Sequence, residues 1–116
     1  MENGSLGKFV TEYHAAGVAW VEAKLKSDQL EEDQKPFLAS LMNALDDGKT
    51  SEAKLDRLAR GSTQYREYVK NMVLSKAEAL REKVRYDALG SFYEAKRSEK
   101  ALERSKIEKG IFHQGS

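Results

Sequence analysis

The triplet Gly48-Lys49-Thr50 has the ending of a phosphate-binding loop, in which backbone amides and a lysine cradle nucleotide phosphates. That motif also needs a glycine where Asn43 stands and a strand leading in, and here an amphipathic helical pattern leads in instead. Gly48 therefore reads as a helix stop and Thr50 as the cap of the next helix. The two histidines, His14 and His113, are far apart, and neither has a second ligand at helical spacing. The acidic clusters Glu31-Glu32-Asp33 and Asp46-Asp47 lack the alternating oxygen ligands and central glycine of a calcium loop. There is no Cys, no Gly-x-Ser-x-Gly elbow and no third member for a Ser–His pair, so no nucleophile is nominated. The chain reads as a non-enzyme that requires no cofactor and no metal.

Binding chemistry is better represented. Lys96, Lys100 and Arg104 are spaced by four along one side of a helix, with Arg97 beside them and Arg81, Lys83 and Arg85 upstream. Such a row can engage phosphates, and Tyr86, Phe92 and Tyr93 between the two basic groups can stack on unpaired bases. Lys83, Arg85, Lys96, Arg97, Lys100 and Arg104 are thus the residues of a single-stranded nucleic-acid reading. Glu94, Glu99, Glu103 and Glu108 are interleaved with them, which equally describes a solvated helix face. The pI near 7.9 is below that of a dedicated nucleic-acid domain.

The cluster Tyr86, Leu89, Phe92 and Tyr93 surrounds Gly90 on several sides of a helix. In a continuous helix part of it must be exposed, and exposed aromatics mark an interface, so these four form a candidate partner-binding patch. A long helix cannot bury its own stripe, so Val73, Leu80 and Val84 form a candidate self-association surface, most simply in a two-fold dimer.

The elements that carry these residues are helical. Ala, Leu, Glu and Lys dominate, β-branched residues are sparse, and no alternating run of strand length occurs. Phe9, Tyr13, Gly17, Trp20 and Ala23 recur at spacings of three and four, giving a first helix from Leu6 to Lys26. The acidic stretch Ser27 to Lys35 reads as a loop or one extra turn. Pro36 opens a second helix, with Asp33 near its N-cap and Phe37, Leu38, Leu41, Met42 and Leu45 inward, ending at Gly48. Thr50 to Gly61 makes a short third.

From Thr63 to Lys109 there is one Gly and no Pro, and Tyr65, Val69, Val73, Ala77, Leu80, Val84 and Ala88 form an apolar stripe. Lys76 and Glu82 interrupt a heptad along it, so the segment reads as a long amphipathic helix rather than a regular leucine zipper. Gly90, Ser91 and Glu94 can be read either as a stop plus a capping box or as part of one continuous helix. The expected fold is all-α and a single domain. A bundle of about three helices spans 6–61, a long helix or a hairpin broken near Gly90 spans 62–109, and a loose tail spans 110–116.

Composition sets the frame for function. The 116 residues are 34% charged and 40% hydrophobic with formal net charge +1, which excludes a wholly disordered chain. The charge is uneven: residues 1–69 carry 9 basic and 12 acidic side chains, and residues 70–116 carry 11 and 7. No apolar run is long enough to span a bilayer, and the first residues lack the regions of a signal peptide. With no cysteine the expected setting is cytoplasmic, and the general character is that of a bacterial or phage accessory protein. The expected role is a non-catalytic helical module, of adaptor or inhibitor type, that binds another protein or itself. Nucleic acid is the alternative partner, and no membrane is expected.

Overall fold

A computed structural model describes the backbone of residues 2–114 and the side chains of residues 6–107. Among the described residues the only regular elements are three helices, α1 (Glu2–Leu45), α2 (Glu52–Arg60) and α3 (Thr63–Gln114). The two long helices form an antiparallel hairpin about 96 Å long, with α2 tucked into the closed end. Phe9 stacks on Tyr93 at the open end and Phe37 on Tyr68 near the closed end, which fixes the antiparallel sense.

Two long helices can meet along one line only if the facing residues alternate at spacings of three and four. On α1 that line is Phe9, Tyr13, Ala16, Trp20, Ala23, Ser27, Leu30, Gln34, Phe37 and Leu41, all buried or half-buried. On α3 it is Tyr65, Tyr68, Met72, Ser75, Ala79, Glu82, Tyr86, Leu89 and Tyr93. The Phe9–Tyr93 register then sets Ala16 level with Tyr86, Trp20 with Glu82, Ala23 with Ala79 and Ser27 with Ser75. The large residues lie toward the two ends of the line, and the waist of the hairpin is alanine and serine.

Several sequence expectations change here. The N-terminal segment is not a bundle of separate helices, because α1 runs unbroken through Ser27–Lys35 and Pro36. Ser27, Leu30 and Gln34 lie on the inward line, while Pro36 is exposed, so its missing donor leaves only a solvent-facing carbonyl unbonded. Gly90 is neither a turn nor a capping box, since α3 passes straight through it. The helix also continues over 110–114, where a loose tail was expected, and residues 115 and 116 lie outside the described residues.

The closed end is the best-packed part of the molecule. Leu38, Leu55, Ala59 and Tyr65 are buried there, with Phe37, Leu41, Met42 and Val69 packed around them. Gly48 adopts φ +78°, the left-handed conformation expected of a helix stop. The N-cap of α2 is Ser51, not Thr50: the Ser51 hydroxyl accepts the Lys54 N–H at 3.2 Å. Thr50 instead donates both its N–H and its hydroxyl to Asp47. Ser62 accepts the Tyr65 N–H and starts α3.

Candidate functional site

Two groups of side chains stand out, an aromatic cluster at the open end and an aliphatic face along one side of the hairpin. The aromatic cluster is reciprocal. Tyr13 on α1 and Tyr86 on α3 stack at 5.0 Å, and each lies across a glycine one turn further along the opposite helix. A Cβ on Gly17 would stand 3.0 Å from the Tyr86 ring, and one on Gly90 would stand 3.1 Å from the Tyr13 hydroxyl. Both glycines are therefore seats for a ring from the other helix, which explains why an otherwise helical sequence places Gly at 17 and 90. Trp20 stacks on the other side of Tyr86 at 5.7 Å, and Phe9 touches Phe92 and Tyr93. The adjoining Tyr86 phenol first, and desolvation second, push the Tyr13 hydroxyl above its ordinary range.

The candidate partner patch is divided by this arrangement. Tyr86, Leu89 and Tyr93 are half-buried in the line between the helices, and Phe92 is 51% exposed. The candidate self-association residues lie on the outside, with Val73 57%, Leu80 64% and Val84 68% exposed. The apolar stripe seen in the sequence therefore packs on α1 only at its start, through Tyr65 and Val69, and leaves the pairing line from Val73 on.

One side of the hairpin carries open grooves flanked by exposed aliphatics. Val10, His14, Gly17, Val18, Trp20 and Val21 line an open groove of about 630 Å³ with Tyr86. It continues into a second groove, where Trp20, Lys24, Asp28 and Glu31 of α1 meet Lys76, Leu80 and Lys83 of α3. A third, floored by Gly90 and Ser91, lies near the open end with Asp87 and Glu94 on its rim. Lys24 pairs with Asp28, and Lys76 pairs across the helices with Glu31, so this face carries both signs of charge beside its aliphatics.

The six candidate nucleic-acid residues do not form one ridge. Lys83 lines the second groove, and helical period places Arg85 on the opposite side. Lys96 pairs with Glu99 and sits over the Phe92 ring, Arg97 pairs with Glu94, and Lys100 and Arg104 are exposed. Arg104 lies past the level at which α1 begins.

The Gly48-Lys49-Thr50 triplet is a closed hinge. The Asp47 carboxylate accepts the N–H groups of Lys49 and Thr50 and the Thr50 hydroxyl, and these bonds hold its pKa below the ordinary carboxylate range. Among the described residues no group of three His, Asp or Glu side chains converges to hold a metal ion. His113 falls outside the residues whose side chains are described. No described helix is long and apolar enough to cross a membrane. Sequence reasoning placed Gly17 on the stripe of the first helix but missed its role as a ring seat, and it missed the continuation of the inward line past Ala23, whose signal is the unbroken three–four alternation from Phe9 to Leu41. No protein-family model matches the chain, and neither a curated protein nor a solved structure matches it.

Proposed function

We propose that this chain is a non-catalytic protein-binding module, of the adaptor or inhibitor type, whose working surface is the grooved side bearing Val10, Val21, Val73 and Leu80. One observation carries the reading: large aliphatics of both long helices, Val10, Val21 and Leu80 among them, are left exposed beside the grooves, while alanines, serines and aromatics fill the line between the helices. Exposed aliphatics gathered around a groove mark an interaction surface more often than scattered single ones do. The mixed charges around it suit orientation and selection of a partner.

The test is direct. A face held for a protein is either covered in solution, giving a mass above 13.1 kDa by light scattering, or open and able to bind an apolar fluorescent dye. A chain that is monomeric by mass and silent to the dye has hidden the face on itself, and the reading falls.

A second reading, single-stranded nucleic-acid binding, is supported by Lys100 and Arg104, which are exposed on the part of α3 that reaches the start of α1 and passes it. Its signature is affinity that falls steeply with salt, with a smaller slope once Lys100 and Arg104 are neutralised. A salt-independent signal removes it.

A further inference from the structure

We infer that the occupant of the grooved face is a second copy of this chain, joined about a two-fold axis that runs along the hairpin, so that both α3 C-terminal ends leave the bundle side by side. This rests on the protein-binding reading and names its partner.

Surface area points to a second copy. The chain exposes 9277 Å², whereas a compact monomer of 13.1 kDa exposes about 6,400 Å². The excess, about 2,900 Å² per chain, covers the share that each copy gives to an obligate dimer interface of roughly 2,000–5,000 Å² in total. Among the described residues of the single hairpin no large side chain is fully buried. A face-to-face pair would turn two open hairpins into a four-helix bundle with an interior.

Charge selects the axis. Helix α1 carries 4 basic and 7 acidic side chains, and α3 carries 12 basic and 8 acidic. Two hairpins can stack on this face with the two-fold axis either across the helices or along them. An axis across the helices sets α1 on α1 and α3 on α3, juxtaposing like net charges. An axis along them sets each α1 antiparallel to the partner's α3, so every neighbouring pair in the bundle is of opposite sign.

The pattern along the face agrees with that axis. A two-fold axis along the hairpin leaves height unchanged, so each residue meets what lies level with it on the other helix. By the Phe9–Tyr93 register, Val21 is level with Leu80 and Val10 with the groove floored by Gly90 and Ser91. His14 is level with Asp87, and Asp28 lies within one turn of the level of Lys76. Lys35 and Arg66, level near the closed end, are a like-charged pair and mark where the contact stops.

The sequence has no cysteine, so single spin labels can be placed cleanly at Ser98→Cys near the open end and Lys49→Cys at the hinge. Light scattering should give about twice 13.1 kDa across a concentration series. Interprotomer distances at both sites should be about 20–35 Å, set by helix spacings of 8–10 Å plus the label arms. Separations near 60 Å, which the transverse axis gives for helices rising 1.5 Å per residue, overturn the proposal even if the mass is dimeric. A monomer, trimer or larger assembly also overturns it. A monomer that binds the apolar dye leaves the protein-binding reading standing, whereas a dye-silent monomer removes both.

Discussion

The closed end and the open arms of this hairpin are built from similar residues, yet only one of them has a core. At the closed end α2 lies over the junction of α1 and α3, and Leu38, Leu55, Ala59 and Tyr65 are shut away between three helices. Along the arms two helices meet on a single line, and of the inward residues only Ala16, Ser27 and Ser75 are buried. A pair of helices covers one stripe on each member, and whatever lies on the flanks stays wet. The third element, rather than the hydrophobic content, separates the two regions.

The largest expected effect tests that contrast. Leu55→Ala should cost about 2–4 kcal/mol in denaturant unfolding, as for a buried leucine, because its side chain is 6% exposed at the packed closed end. Leu80→Ala, on a side chain 64% exposed within the hairpin, should cost less than about 0.5 kcal/mol if the arm face stays open, and about 2 kcal/mol or more if the inferred second copy covers it. A loss at Leu80 equal to that at Leu55 would show that the arm face is covered in solution, and the contrast would then belong to the single chain only.

The two glycines divide the arm itself. Gly17→Ala places a Cβ 3.0 Å from a Tyr86 ring held between Tyr13 and Trp20, so overpacking should outweigh the helix-propensity gain, with a net loss of about 1–2 kcal/mol. Gly90→Ala meets only the hydroxyl end of Tyr13, which can swing aside, and should be neutral within about 0.5 kcal/mol. Equal losses in thermal unfolding would mean that the Tyr13 ring is as tightly seated as Tyr86. At the closed end Ser51→Ala removes the α2 cap and should cost about 1 kcal/mol, read by the same melt. A cost near zero would mean that packing alone holds α2.

How far the sequence disclosed this follows from the same physics. Helix class, the left-handed Gly48 stop and a long helix starting at Thr63 were legible because they depend on local preferences. Tyr65 and Tyr68 at the start of that helix point inward and bond to Gln34 and to the Leu30 carbonyl of α1. The first turns of the pairing line, Phe9 to Ala23, were legible, but its middle was not, because Ser27, Ser75, Ala79 and Glu82 carry little apolar signal. On α3 the stripe that did carry signal leaves the line after Val69, and Val73 and Leu80 belong to the outer face. Glu82 was read as a residue that spoils a heptad. It sits on the true line level with Trp20, with one carboxylate oxygen buried and unbonded. Ser27–Lys35 looked like a loop because it is acidic and precedes a proline, yet its inward positions keep the alternation. The exposed Pro36 removes only one hydrogen bond.

The smallest effects should appear at opposite ends of the pH scale. Asp47 at the hinge has a lowered pKa, so the carboxylate is favoured by the fold. Its contribution is complete above about pH 4, the ordinary aspartate value, and is lost as pH falls through the lowered folded value. Tyr13 in the arm has a raised pKa, so the neutral phenol is favoured. That contribution is complete below about pH 10 and is lost as pH rises through the raised folded value. Acid should therefore loosen the hinge first and alkali the open arm first, with amide hydrogen exchange around Lys49–Lys54 and around Gly17 reporting each. Asp47→Asn should remove the acid response without touching the alkaline one, and Tyr13→Phe should do the reverse. If either substitution abolished both responses, the hinge and the arm would be opening as one unit, and the difference in packing between them would not translate into separate stability.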